Sequence, residues 1–170
     1  MESQIQVKEF APIFLAQSDT TAGFLCSDFT KLNAIKGRSE SQNVLLTLDS
    51  LVKLKKLVRI PSRYKNRIRK SAKSTFIYQG RHALMQKSSP NTKLAIRVVK
   101  PERLEKASHA DFLRFFPFLY SSSANAHHQS FSLRFALKKA DIIVLDKRGL
   151  MESKPSKIYK IANFNLKCIR

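Results

Sequence analysis

Acidic residues are scarce in this chain. Asp and Glu number 12 against 32 Lys and Arg, a formal charge of +20, and no acid lies between Asp49 and Glu102, although cations run through that interval from Lys53 to Lys100. An excess of this size predicts anionic partners: nucleotide, RNA or a phosphate-rich surface. Cysteine is nearly missing as well. Cys26 and Cys168 sit at opposite ends, with neither a CxxC pair nor a disulfide framework, which suits reduced thiols and a cytoplasmic location. The 4 glycines and 6 prolines are few and 43% of residues are hydrophobic, so global disorder is not indicated. No apolar run reaches the roughly 18 residues of a membrane span, so no membrane partner is expected. Met1 to Phe10 mixes both charge signs and lacks the apolar core of a signal peptide. The histidines at 82, 109, 127 and 128 have no zinc spacing. P-loop, GxGxxG and GxSxG patterns are also missing.

What is present reads as one domain over residues 1–170, long enough to bury a substantial core. Pro12 to Ala16 is a short apolar strand. A helix from Ser27 to Ile35, capped by Ser27-Asp28, carries Phe29, Leu32 and Ile35 on one face. Val44 to Leu48 is a buried strand, and Asp49-Ser50 caps a helix with Leu51, Leu54, Leu57 and Val58 inward and Lys53, Lys55 and Lys56 outward. Arg63 to Ala72 is a second helix with Tyr64, Ile68 and Ala72 on its apolar side. Ser74 to Gln79 and His82 to Gln86 bracket a tight Gly80-Arg81 turn. Ser88 to Asn91 is a loop before the strand Leu94 to Val99. A helical stretch after Pro101 carries Leu104, Ala107, Phe112 and Phe115 as core. A strand from Pro117 to Tyr120, a basic helix from Ser132 to Lys139, and strands at Asp141 to Leu145 and Ile158 to Ile161 follow. Strands and helices interleave without a strict βαβ rhythm, which predicts an α/β mixed twisted sheet with flanking helices.

Three stretches carry chemistry. Lys36-Gly37-Arg38 places two cations two residues apart beside a glycine. Read as extended chain, the two side chains share one side and converge on one anion, with Gly37 letting the backbone come close. Upstream, Phe14 to Gly23 is a strand running into Ser18, Asp19, Thr20 and Gly23. Downstream, Leu119 to Asn125 is a strand running into Ser121-Ser122-Ser123 and Asn125. A fourth stretch is cationic only: Arg59, Arg63, Lys65, Arg67, Arg69, Lys70 and Lys73 have Tyr64 as their one interleaved aromatic. That composition suits sequence-blind contact with RNA phosphates rather than base stacking.

In order and spacing, the first three stretches resemble the nucleotide-binding signature of the YrdC-like family of threonylcarbamoyl-AMP synthases. The family's Thr-Asp/Glu-Thr-x-x-Gly segment is matched by Ser18, Asp19, Thr20 and Gly23, its Lys-x-Arg by Lys36 and Arg38, and its Ser-x-Asn by Ser123 and Asn125. Thr75 to Tyr78 resembles a Thr-led strand, Arg97 the arginine of a Val-Arg-x-Pro strand, Asp141 to Gly149 a strand and glycine turn, and Pro155-Ser156-Lys157-Ile158 a closing Pro-Ser-Thr-Ile/Val strand. The likeness covers residues 12–162. The departures are Gln17 for proline, Ala22 for tyrosine, Ser39 for proline, Thr47 for histidine, His127-His128 for Ser-Gly, Lys157 for threonine, and no Pro-Gly-Pro before Thr75.

The resemblance implies a YrdC-like open twisted sheet with a basic concave surface. It also implies condensation of L-threonine, bicarbonate and ATP into threonylcarbamoyl-AMP and pyrophosphate, for modification of tRNA with a threonylcarbamoyl-transferase partner. In that reaction Lys36 and Arg38 are the catalytic cations, and Ser18, Asp19, Thr20, Arg97, Ser123, Asn125 and Ser156 bind nucleotide and substrate. Mg²⁺ rests mainly on the phosphates, because Asp19 alone is a poor ligand set. No protein metal ligands are assigned. The departures leave a second expectation: a non-catalytic relative that binds double-stranded RNA, tRNA or the ribosome.

Overall fold

The computed structural model describes residues 10–79, 93–101, 108–162 and 165–170. Nine strands form its framework: β1 (Phe14–Gln17), β2 (Ala22–Cys26), β3 (Leu45–Leu48), β4 (Ser74–Gln79), β5 (Lys93–Val98), β6 (Leu119–Ser123), β7 (Ile142–Val144), β8 (Lys157–Ile161) and β9 (Leu166–Cys168). They make a single sheet in the order β7-β1-β2-β6-β3-β5-β4-β8-β9. The β1/β7, β3/β5 and β4/β8 pairs are parallel and the others antiparallel, the mixed arrangement expected from interleaving without a βαβ rhythm. The helices are α1 (Phe29–Ile35), α2 (Leu51–Leu57), α3 (Lys65–Lys70), α4 (His109–Leu113) and α5 (Leu133–Lys139), with a 3₁₀ turn at Ser62–Tyr64 leading into α3.

Alternation along the strands divides the core in two. Leu15, Phe24, Leu46, Leu48 and Phe76 pack with Leu32 of α1, Leu54 and Leu57 of α2, Ile68 of α3 and Ala136 of α5. On the other face Ala16, Leu25 and Leu119 pack with Ala110 and Leu113 of α4. Four helices thus sit against one face, while the short α4 covers only part of the second. The rest of that face carries Thr75, Arg97, Ser121 and Ser123.

Local chemistry sets the helix ends. An Asp28 Oδ1 accepts from Thr30 N at 2.9 Å to start α1, Ser50 and Ser132 cap α2 and α5, and Ser108 with Asp111 forms a reciprocal capping box on α4. Lys53, expected to point outward, is instead half-buried. It pairs with Asp49 at 2.6 Å and donates to the carbonyls of Leu113, Arg114 and Phe116 at the end of α4, a favourable place for a cation. Phe112 packs edge-on to Phe14 as a core residue, but Phe115 is 84% exposed, because α4 ends at Leu113, too short to turn Phe115 inward. Ala72 is exposed because α3 stops at Lys70. The expected Gly80-Arg81 turn, the strand His82 to Gln86, the loop Ser88 to Asn91, and Leu104 and Ala107 lie outside the described residues.

Candidate nucleotide-binding site

Lys36 ends α1 with right-handed helical backbone, and Gly37 follows at φ +65°. The segment is therefore a turn and not the extended chain expected from its sequence. Convergence of the two cations comes from the reversal, which only a residue tolerant of positive φ makes without strain. Lys36 Nζ donates to Ser123 O at 2.5 Å and Asn125 Oδ1 at 2.9 Å, with Ser123 Oγ at 3.4 Å. Arg38 Nη1 donates to Ser122 Oγ at 3.3 Å and its Nε to His127 Nδ1 at 3.4 Å. Every one of these acceptors is neutral. Burial, reinforced by the neighbouring Arg38, lowers the Lys36 pKa to about 7. Burial also lowers that of Arg38.

The third stretch is presented by β6, whose neighbours are β2 and β3. Its pairing with β2 sets Gly23 opposite Ser123. A Cβ on Gly23 would meet Ser122 O at 3.1 Å, so glycine is what lets the first stretch lie flat on the third. Thr47 is fully buried and donates to Leu119 O at 3.2 Å. Ala22 is also fully buried.

A second cationic centre lies across the sheet. Arg97 on β5 donates through Nη1 to Asp19 Oδ1 at 3.0 Å and Thr20 Oγ1 at 2.7 Å. Its side chain is 8% exposed and that of Asp19 12%. The Asp19 carboxylate is thus committed to an arginine, leaving little of it for a metal. Ser18 holds the turn by donating to Thr21 O at 2.7 Å, and Thr75 Oγ1 meets Ser156 Oγ at 2.9 Å. Among the described residues no group of three His, Cys, Asp or Glu converges to hold a metal.

These pieces border one cleft of about 310 Å³, within the size range of small-ligand sites. Of the residues singled out by sequence, Ser18, Thr20, Arg38, Arg97, Ser123 and Ser156 line it. Lys36 and Asn125 join it through Ser123, and Asp19 through Arg97. Val44, Leu45, Ala95 and Ile158 supply apolar wall. Sequence reasoning missed Arg170, which lines the cleft and donates from Nε to Ser156 O at 3.3 Å. It follows an unremarked three-residue strand, and no motif marks it. Arg148, read only as part of a turn, donates to the carbonyls of Gln17 and Ser18 and pairs with Asp146 at 2.5 Å. It anchors the first stretch from behind. Arg59, Arg63, Lys65, Arg67, Arg69, Lys70 and Lys73 are all exposed and none lines the cleft. Arg67 lies over the Tyr159 ring at 5.2 Å.

No protein-family model and no curated protein sequence matches the chain. Solved structures do. Escherichia coli YciO aligns with a TM-score of 0.69 at 14% identity, covering 94% of this chain and 82% of its own. Sua5 of P. abyssi, solved with L-threonine, gives 0.69 at 14% identity over 94% of this chain, which spans 50% of the Sua5 chain. Full-length HypF, in a phosphate- and nucleotide-bound form, gives 0.69 at 14% identity, with 26% of its chain covered. At these identities the likeness is one of architecture: the chain has the YrdC/Sua5-like α/β fold.

Proposed function

We propose that this chain is an L-threonylcarbamoyladenylate synthase, joining L-threonine, bicarbonate and ATP into threonylcarbamoyl-AMP with release of pyrophosphate. One observation carries the reading. Lys36 and Arg38 are fixed at the cleft by neutral acceptors alone, so their charge remains available to an anion. The reaction brings a carbamate to a triphosphate, and the protein's task is to hold two anions together against their repulsion. Lys36 supplies a compact charge and Arg38 a planar fork. Arg170 adds positive potential on the opposite wall, where Arg97 is neutralised by Asp19, and Ser123 and Asn125 offer neutral hydrogen bonds. The carbamate oxygen forms a bond to the α-phosphorus as the bond to pyrophosphate breaks, with no side chain needed as a covalent intermediate. Mg²⁺ brought by the triphosphate would be held mainly by the phosphates, since Asp19 is tied to Arg97. The neighbour solved with L-threonine supports the choice of amino acid. The reading places the protein in the cytoplasm beside a transferase that passes the threonylcarbamoyl group to tRNA.

The test is pyrophosphate release from ATP and bicarbonate with and without threonine. Threonine-dependent release is expected, and none above background in either case would sink the reading.

A second reading is favoured by a different observation. Ala22 and Thr47 stand where the related family has a tyrosine and a histidine, and both are withdrawn into the sheet, while the cations of residues 59–73 are exposed. On that reading the chain is a non-catalytic binder of double-stranded RNA, tRNA or ribosome. Binding through about five phosphates would give a log K against log salt slope of about −3 to −5. The joint variant Arg63→Glu, Arg67→Glu and Lys70→Glu would flatten it, and the unmutated chain would show no threonine-dependent pyrophosphate release.

A further inference from the structure

The two edges of the sheet are finished differently. At the β9 edge, Lys167 is exposed and pairs in register with the exposed Lys160 of β8, the lysine guard that keeps an open edge from recruiting strands. At the β7 edge no such guard exists. Ile142 is 41% exposed, Ile143 45% and Leu145 68%. Helix α5, which leads into this strand, exposes Leu133 and Leu137 one turn apart. Among the described residues β7 pairs only with β1. Ile142 N donates inward to Ile13 O, so by strand alternation the backbone N–H and C=O of Ile143 turn to the open side.

Beside this edge, on the α4 face, lies a second cavity of about 250 Å³, separate from the nucleotide cleft. Its wall includes Phe112, Val144 and the outward-facing Phe115 and Leu145. Most polar groups around it are already engaged: Ser108 and Asp111 with each other, Asp146 with Arg148, Gln17 with the backbone of Thr20 and Met151. His109 is the exception. It is 4% exposed, it lines the cavity, and neither ring nitrogen has a hydrogen-bond partner, a costly state for a buried polar group.

We propose that the β7 edge is a strand-addition site for an acidic partner protein, with the His109 cavity as the socket for one anchor side chain. Added strands gain affinity from main-chain hydrogen bonds and specificity from alternate side-chain pockets. A residue laid opposite Val144 projects to the same face as Val144, and Val144 is part of the socket wall. An aromatic ring matches what it finds there: apolar walls from Phe112, Phe115, Val144 and Leu145, with the buried His109 ring beside Phe112 at 6.4 Å between centroids. Charge selects the partner. Arg134, Lys138 and Lys139 are exposed on α5 just before β7 and the exposed Lys147 follows it, outnumbering Asp141 and Asp146 at the ends of the strand, so an acidic strand is attracted, whereas a second copy of this chain brings the same cations against itself.

The probe is a ten-residue peptide alternating valine with aspartate around a central tyrosine, titrated into the full chain and followed by fluorescence anisotropy and by amide and His109 ring NMR signals. Saturable binding is expected, with shifts confined to residues 141–146 and His109, and a lysine-for-aspartate peptide should not bind. Ile143→Lys installs the guard of the opposite edge at an exposed position and should weaken binding at least tenfold. Alanine in place of the peptide's central tyrosine should weaken binding at least tenfold, and phenylalanine there should bind as well as tyrosine. Failure of the acidic peptide to saturate, equal binding by Ile143→Lys, or ring signals that do not move would overturn the proposal. So would a concentration-dependent dimer abolished by Ile143→Lys, which would give the edge to a second copy.

Discussion

Two buried cationic centres border one cleft, and they are held in opposite ways. Arg97 is tied to a carboxylate, Asp19, and to a hydroxyl. Lys36 and Arg38 are tied to a carbonyl, an amide, a hydroxyl and an imidazole, with no carboxylate among the partners. An ion pair cancels the field it makes, so the Arg97 centre contributes shape and cohesion. A cation dissolved in neutral dipoles keeps its field, and it is the Lys36 centre that is organised for an incoming anion. The same difference appears in the proton affinities. Asp19 opposes the lowering that burial imposes on Arg97, whereas Arg38 adds to the lowering of Lys36.

That contrast can be broken from either side. The largest effect is expected at the ion pair: Asp19→Ala leaves Arg97 buried without its counter-charge and should cost about 3–5 kcal/mol in denaturant unfolding. Lys36→Met keeps the volume and removes a charge that burial disfavours, so the unfolding midpoint should not fall, yet adenylate formation should drop by about 10² or more, the scale of losing a preorganised charge; Arg38→Ala should reduce adenylate formation likewise. Unchanged turnover in both would remove the active-site assignment.

The pH response sharpens the same comparison. With Lys36 lowered to about 7 from 10.5, the folded chain gives up this proton earlier than the unfolded chain does. Between those values this group makes stability rise with pH. An anion favours the ammonium form, so ATP affinity should fall as pH rises from 7 to 9, by at most about tenfold per unit, with proton uptake visible in calorimetry across buffers. Lys36→Met should flatten the profile. The smallest expected effect is at the neutral donors: Ser123→Ala should weaken ATP binding by about 1 kcal/mol, measured by calorimetry.

Much of the scaffold was readable because its apolar periodicity is strong. Leu54, Leu57 and Val58 of the α2 region and the strand around Leu46 and Leu48 are buried as expected. β2 was not legible. Ala22 and Gly23 are weak strand formers, and their place in the sheet is decided by β6, roughly a hundred residues away in sequence, through the close approach at Gly23. The site's members were identifiable as residue types, but their geometry was not. The Lys-Gly-Arg stretch carries the same letters as an extended chain or a helix-ending turn, and the positive φ at Gly37 decides between them. Arg170 was invisible because its position depends on β9 returning beside β8. His109 looked like one of four scattered histidines until α4 buried it.

The strand order carries a consequence for how the cleft comes into being. Lys36 meets Asn125 across 89 positions, Arg97 meets Asp19 across 78, and Thr75 meets Ser156 across 81. Each wall is closed by a return of the chain from far along its length, and such closures are slow because loop entropy is spent before the contact forms. During synthesis, the first half of the cleft emerges long before the second, leaving its cations facing solvent. On the proposed function, ligand capture would therefore report completion of the whole sheet, and a nucleotide present during refolding would act on the last steps, fastening a structure whose strands have already found their neighbours.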